Sequence, residues 1–186
     1  MSGAVRPASG LFEEPREVTA LGDLFANLWQ IGYVARDLDR GIEVLRDRFG
    51  VEHCMEVPTA GATFLKGDEP APWDVRVAMG ARGGLIVEVI EPIGGEVEFY
   101  REALPRDGGL GLHHLATFVP LGEEVWESVV GLLAEQGLRV DYTVLIPDRV
   151  RAAYVDTRAH LGHWLEICQL QAADTEFFSG LVADSA

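Results

Sequence analysis

The chain has 186 residues, of which 48% are hydrophobic and 24% charged, and its formal net charge is -15. This length suits one domain with a sizeable core, or two small modules that share one. The balance of residue types excludes a wholly disordered chain. The negative charge disfavours nucleic acids and anionic membrane surfaces as partners, because both are themselves negatively charged.

Secretion and membrane signals are missing from the sequence. There is no signal-peptide segment and no apolar run of about 20 residues. The two cysteines, Cys54 and Cys168, lie far apart and lack the spacing of a zinc knuckle or a redox pair. We therefore expect a cytoplasmic protein that does not contact membranes.

The first half of the chain combines apolar strand-like runs with one amphipathic helix. Residues 1–22 are mixed in composition and predict an N-terminal arm, and the glycine- and proline-rich residues 58–72 predict a loop. The predicted elements of this half are a strand over 23–35, a helix ending near Phe49, strands over 51–57, 75–81 and 85–91, and a short helix over 96–104.

The second half repeats this order of elements. Its predicted elements are a strand over 111–119, a helix over about 123–136, strands over 139–145, 150–156 and 163–170, and a terminal helix over 172–182. When Gln30 is set on His114, each segment reads as an apolar strand, a turn, an amphipathic helix and a glycine stop.

This repeat predicts the domain organisation. We expect two tandem βαβββ modules, 23–104 and 105–171, after the arm at 1–22 and before a C-terminal tail at 172–186. In each module three strands follow one another through short links, which is not the pattern of a doubly wound parallel sheet. The prediction is an α+β fold in which the two modules form one open, curled barrel of mixed sheet around a metal cleft.

Four polar residues interrupt strands that are otherwise apolar. Gln30 and His114 open the two modules, while Glu88 and Glu166 lie in their closing strands. A buried carboxylate is costly unless it is paired or bound to a metal ion. One divalent cation would neutralise both acids, and a set of three oxygens and one nitrogen suits Zn, Ni, Co or Mn, with Mg possible.

Structural roles are the alternative for the same residues. His114 could be a core histidine bonded to a backbone carbonyl, and both glutamates could point outward or form salt bridges. The equivalent positions of the two acids in the repeat favour the metal site. By strand alternation, His113 belongs on the face opposite His114 and has a structural role.

Four segments carry a resemblance to a known family, namely QIGYVARDLDRG, LIVEVIEPIG, GLHHLATFV and GHWLEICQ. Over residues 24–170 the chain resembles the vicinal oxygen chelate superfamily, which includes glyoxalase I, methylmalonyl-CoA epimerase and extradiol dioxygenases. The resemblance implies paired βαβββ modules around a metal held by Gln30, Glu88, His114 and Glu166. Gln30 stands where extradiol dioxygenases use a histidine, which disfavours their chemistry.

The resemblance also implies a function. It suggests a metal-dependent lyase or isomerase, glyoxalase-like or epimerase-like, that moves a proton next to a carbonyl through an enediolate or enolate. Glu166 would be the catalytic base, and Asp74, Tyr154 and Trp164 are candidates for contacts to a small-molecule substrate. A second acid/base, which an epimerase needs, is not identified. The alternative is a non-catalytic binding or resistance protein of the same fold, and we expect a homodimer in either case.

Overall fold

The computed structural model describes residues 15–185. Its elements in chain order are a 3-10 helix (Leu21–Asn27), β1 (Leu28–Val34), α1 (Leu38–Phe49), β2 (Met55–Val57), β3 (Thr63–Lys66), β4 (Glu69–Pro70), β5 (Trp73–Arg82), β6 (Leu85–Gly95), α2 (Glu98–Arg101), β7 (Gly111–Phe118), α3 (Glu123–Glu135), β8 (Val140–Ile146), β9 (Val150–Val155), α4 (Arg158–Leu161), β10 (Trp164–Leu170) and α5 (Ala172–Ala183).

The ten strands found in the described residues join one sheet in the order β2-β5-β6-β1-β7-β10-β9-β8-β3-β4. Strand β1 runs parallel to β6, and β7 runs parallel to β10, while β1 and β7 pair antiparallel at the centre. The sheet is therefore mixed, and it curls into a half-barrel. This architecture confirms the predicted α+β fold class.

The two long internal helices cover the outside of the sheet. Helix α1 is capped at its start by Asp37, whose carboxylate accepts a hydrogen bond from the Arg40 backbone N–H at 2.9 Å, and at its end by Gly50 in the left-handed conformation. Helix α3 buries Trp126, Val129 and Leu133.

The division into modules 23–104 and 105–171 stays a prediction.

The start of the chain differs from the predicted strand over 23–35. The 3-10 helix replaces its first residues, because the Asp23 carboxylate accepts hydrogen bonds from the backbone N–H groups of Thr19 and Ala20, both at 2.9 Å. Residues 1–14 of the predicted arm lie outside the described residues. Arg16 is held beside the end of the 3-10 helix, since the side chain of Asn27 hydrogen-bonds both the N–H and the C=O of Arg16.

The segment predicted as a loop over 58–72 contains the hairpin β3–β4. Strand β3 pairs with β8, which lies about half the chain away, so local sequence patterns could not reveal the partner. Phe64 in β3 is buried and stacks on Trp73 and Tyr142, with ring centroids 5.7 and 5.6 Å apart. These contacts make the hairpin part of the core.

Helix α5 is packed onto the core rather than extended as a tail. It buries Phe178, Leu181 and Val182 in the same cluster as the inner sheet residues. The guanidinium of Arg149, in the β8–β9 turn, donates to the fully buried carboxylate of Asp174 at 2.5 Å. The helix is thereby held against the open side of the half-barrel.

Within residues 15–185, no helix is long and apolar enough to cross a membrane.

Candidate functional site

Two β-bulges lie in the central β1–β7 pair, and each turns two consecutive side chains inward. The register of the pair shifts between Leu28 and Gln30, and again between Gly32 and Tyr33. The first shift makes Trp29 the extra residue on β1, and the second makes His113 the extra residue on β7. The prediction that His113 faces away from His114 is therefore wrong, because the bulge breaks strict alternation.

The four residues of the predicted metal site come together inside the half-barrel. The His114 Nε2 atom lies 3.2 Å from one carboxylate oxygen of Glu88 and 3.2 Å from one of Glu166. The Gln30 Nε2 atom lies 3.1 Å from the same Glu88 oxygen and 3.3 Å from His114 Nε2. All four side chains are buried. We call Gln30, Glu88, His114 and Glu166 the polar cluster.

Gly32 makes room for the imidazole of this cluster. It pairs with His114 across β1 and β7, and a Cβ atom added at residue 32 would lie 1.9 Å from His114 Cε1. No heavy atom approaches another so closely without a bond, so a larger residue would push the ring out of position. The glycine of the QIG segment is thus part of the site.

The charged groups of the cluster shift one another's pKa values. Burial alone lowers the pKa of His114, but the carboxylates of Glu166 and Glu88 outweigh burial and raise that pKa to about 10. Burial raises the pKa of Glu88 above its usual value, against the opposing effect of His114. Burial acts in the same direction on Glu166, but the charge of His114 and hydrogen bonds from His114, Tyr154 and Cys168 bring its pKa below the usual value. Of the two acids, Glu166 is the one that stays ionised most readily.

His113 fixes the orientation of His114. The two Nδ1 atoms lie 3.0 Å apart. Burial, together with the charge of His114, holds the pKa of His113 well below its usual value, so His113 is neutral. His114 Nδ1–H therefore donates to His113 Nδ1, which leaves Nε2 of His114 directed at the carboxylates. The two consecutive histidines are the feature of the sequence that could have indicated this contact.

A cavity of about 100 Å³ lies against the cluster. Gln30, Glu88 and Glu166 line its polar end, and Tyr154 lies beside them. The hydroxyl of Tyr100 donates to that of Tyr154 at 3.3 Å, and Tyr154 in turn hydrogen-bonds Glu166. Tyr100 was not among the predicted site residues, because α2 gives no sequence signal that it reaches the interior.

The other two predicted substrate contacts lie away from this cavity. Asp74 is exposed on β5, opposite Gly94. Trp164 shares a face of β10 with Glu166, but it packs against Phe99 and His113 and contacts the guanidinium of Arg158. Neither residue lines the cavity. Strand alternation gives the face of a residue but not its distance along the barrel, so the sequence could not place Trp164 relative to this cavity. Substrate contacts of Asp74 and Trp164 stay predictions.

Sequence comparison identifies the family. A model described as the Glyoxalase/Bleomycin resistance protein/Dioxygenase superfamily matches residues 29–154. The match spans more than half of the chain, so the protein belongs to this superfamily, as the resemblance predicted. No curated protein sequence matches the chain.

Solved structures with the same fold include two epimerases. Methylmalonyl-CoA epimerase from Mycobacterium tuberculosis has a TM-score of 0.53 and 17% identity, over 86% of this chain and 95% of that one. A variant of the Streptomyces coelicolor epimerase in complex with 2-nitronate-propionyl-CoA has a TM-score of 0.53 and 22% identity, over 78% and 94%. A hypothetical protein from Bacillus halodurans has a TM-score of 0.51 and 21% identity, over 78% and 96%. Identities this low show the fold alone.

The raised pKa of His114 predicts a pH-dependent stability. The folded protein holds a proton that the unfolded chain, with an ordinary value of 6.5, releases. The stabilisation is therefore complete below about pH 6.5 and is lost as the pH rises towards 10. Urea unfolding of chelator-treated protein should give a free energy of unfolding that falls between pH 7 and 10. His114→Gln should remove most of this slope, whereas the exposed His53→Gln should keep it. Equal slopes in wild type and His114→Gln would contradict the assignment.

The contact between Gly32 and His114 predicts an unusually costly alanine substitution. Gly32→Ala should displace the imidazole and weaken Zn²⁺ binding by about 10- to 100-fold, the range found when groups that orient a ligand are lost. Competition with a chromophoric chelator measures this affinity. Gly131→Ala in α3 is the control, since an added Cβ there meets no atom within 4 Å. Wild-type zinc affinity in Gly32→Ala would show that the ring position does not matter.

Proposed function

We propose that this protein is a metal-dependent lyase or isomerase that transfers a proton next to a carbonyl group. Gln30, Glu88, His114 and Glu166 would hold the divalent ion. The observation that carries the proposal is the convergence of these four buried side chains beside a cavity, with their polar atoms 3.1–3.3 Å apart.

The separations of 3.2 Å between His114 Nε2 and the oxygens of Glu88 and Glu166 support a shared ion. Ligand atoms about 2.1 Å from one ion are about 3.0 Å apart at a right angle and about 3.4 Å apart at a tetrahedral angle. Among residues 15–185, no group of three or more His, Cys, Asp and Glu side chains is arranged to hold a metal ion. In this structure the cluster is closed by its own hydrogen bonds. Exchanging the proton on His114 for a cation would remove this obstacle with little movement of the strands.

The amide of Gln30 supports the same interpretation. Its Oε1 atom is buried and has no hydrogen-bond partner, while Nε2 faces Glu88 and His114. A half-turn of the amide group would bring Oε1 to the centre of the cluster. Together with the imidazole and two carboxylates, this gives a nearly neutral site for Zn²⁺, Ni²⁺, Co²⁺ or Mn²⁺, with Mg²⁺ possible.

The roles of the residues follow from their charge states. A bound divalent ion supplies Lewis-acid polarisation of a substrate oxygen. Glu166 is the acid that is more readily available in its ionised form, because its pKa lies below the usual value while that of Glu88 lies above it. Glu166 would take the proton from the carbon next to the carbonyl and return it to the product. Glu88 would act chiefly as a ligand.

The surrounding residues would orient this base and keep water away. The hydrogen bond from Tyr154 directs the Glu166 carboxylate, and Tyr100 supports Tyr154 in turn. The remaining cavity wall is mostly apolar, so a bound substrate would exclude solvent and strengthen the electrostatic contacts.

The epimerases of the same fold suggest one version of this chemistry. Epimerisation requires a second acid on the opposite side of the substrate, whereas transfer between neighbouring atoms on one side needs only one base. Glu166 alone therefore favours a glyoxalase-like lyase or isomerase over an epimerase. A non-catalytic binding protein is the second candidate, favoured by the mostly apolar wall of the cavity. The homodimer and the cytoplasmic location stay predictions.

Matched substitutions of the two acids test the proposal. Glu166→Gln keeps an oxygen ligand but removes the base, so metal should stay bound while turnover falls by roughly 100-fold or more. Glu88→Gln should weaken metal binding and reduce turnover less. NMR detection of deuterium exchange next to the carbonyl, across a panel of 2-oxo aldehyde thiol adducts, hydroxyketones and acyl thioesters, reports this step directly.

The outcomes separate the two candidates. Equal exchange in wild type and Glu166→Gln would remove Glu166 from the role of base. Absence of exchange with every compound of the panel, in protein shown to contain metal, would favour the binding protein.

A further inference from the structure

Helix α5 bridges the open side of the half-barrel. It follows β10 directly and packs against β5 and β6, and the sheet order places β7, β1 and β6 between β10 and β5. These three strands carry His114, Gln30 and Glu88. Phe178 of the helix lines the cavity together with Cys168 of β10. The helix therefore covers part of the cavity that lies against the polar cluster.

The two ends of α5 are held in different ways. At its first turn, the backbone N–H of Gln171 donates to the C=O of Arg149 at 2.9 Å, and the guanidinium of Arg149 donates to the buried carboxylate of Asp174 at 2.5 Å. Breaking an ion pair that has a buried partner is costly, so this end is fixed. The far half packs through apolar side chains, and Phe178 meets Trp29 edge-on, with ring centroids 4.8 Å apart.

The far half of α5 is also a weak helix by its sequence. Gly180 lies exposed in its interior, and a Cβ atom added there would meet no atom within 4 Å. Packing therefore does not require this glycine, and it lowers the stability of the helix relative to alanine. The last turn of α5, which the structure describes in full, contains no basic residue to compensate the helix dipole. We expect this half to open more readily than the strands that it covers.

We propose that α5 is a lid on the cavity, hinged at its first turn and opened when Phe178 separates from Trp29. In the structure the lid is closed. When it opens, the far half of the helix leaves the sheet, the Arg149–Asp174 ion pair keeps the first turn in place, and the cavity wall around Cys168 meets solvent. This movement gives ligands access to the polar cluster. The proposal concerns access to the cavity and does not depend on the proton transfer proposed above.

The thiol of Cys168 reports the opening directly. Cys168 is 2% exposed and lines the cavity. Cys54 is the other cysteine of the chain, so a Cys54→Ser parent protein retains a single thiol. Its reaction with 4,4′-dithiodipyridine, an uncharged aromatic disulfide, is followed by absorbance in native buffer and at urea concentrations below the unfolding transition.

The urea dependence separates a local opening from global unfolding. We expect the labelling rate to rise much less steeply with urea than the equilibrium constant for unfolding, because opening one helix exposes less surface than unfolding the chain. Labelling with the full urea dependence of global unfolding would overturn the proposal.

Matched glycine substitutions in the parent protein identify the helix that moves. Gly180→Ala stabilises the far half of α5 without adding a contact, and it should slow the labelling of Cys168 by about two- to fivefold. Gly131→Ala in α3, where an added Cβ also meets no atom within 4 Å, stabilises a helix on the outside of the sheet and should leave the rate unchanged. Equal rates in the parent and Gly180→Ala, or equal slowing by both substitutions, would overturn the proposal.

A second pair of substitutions tests the contact that closes the lid. Phe178→Ala removes the packing against Trp29 and should speed the labelling of Cys168 at least about tenfold. Phe49→Ala, at the exposed end of α1, should not change the rate. Urea unfolding of each variant shows that it is folded, and if Phe178→Ala is not, the comparison of Gly180→Ala with Gly131→Ala decides. Labelling of folded Phe178→Ala at the parent rate would overturn the proposal.

Discussion

The site depends on one electrostatic constraint, the burial of two carboxylates within reach of a single imidazole. His114 Nε2 lies 3.2 Å from a carboxylate oxygen of both Glu88 and Glu166, and both acids are buried. Such a group is stable only if positive charge compensates it. In this structure the proton on His114 supplies that charge, and in the proposed loaded form a divalent cation would supply it. The same constraint therefore links folding, protonation and metal affinity.

The rest of the fold holds these groups in place. The bulges in the β1–β7 pair bring Gln30 and His114 to one point, and Gly32 leaves the space that the imidazole fills. Strand β6, parallel to β1, and strand β10, parallel to β7, flank this pair and supply one acid each. Helix α5 then closes the cavity through Phe178 and the Arg149–Asp174 ion pair. The sheet and helix α5 thus exclude water from a site that contains buried charges.

The sequence predicts the parts of this arrangement that depend on repetition and alternation. The repeat aligned Gln30 with His114 and Glu88 with Glu166, and the fold class followed from the order of the strands. The inward position of His113, the β3–β4 hairpin and the remoteness of Trp164 could not be predicted in this way. A bulge, a strand partner far along the chain and a depth within a barrel are set by tertiary packing, which local periodicity does not report.

We propose that the polar cluster is one divalent metal site. The most direct test is anomalous X-ray diffraction from crystals of untagged protein saturated with Zn²⁺ or Co²⁺. We expect one strong anomalous peak within bonding distance of Gln30 Oε1, His114 Nε2 and a carboxylate oxygen from each of Glu88 and Glu166. A peak only at other residues, with the cluster still closed by its own hydrogen bonds, would contradict it.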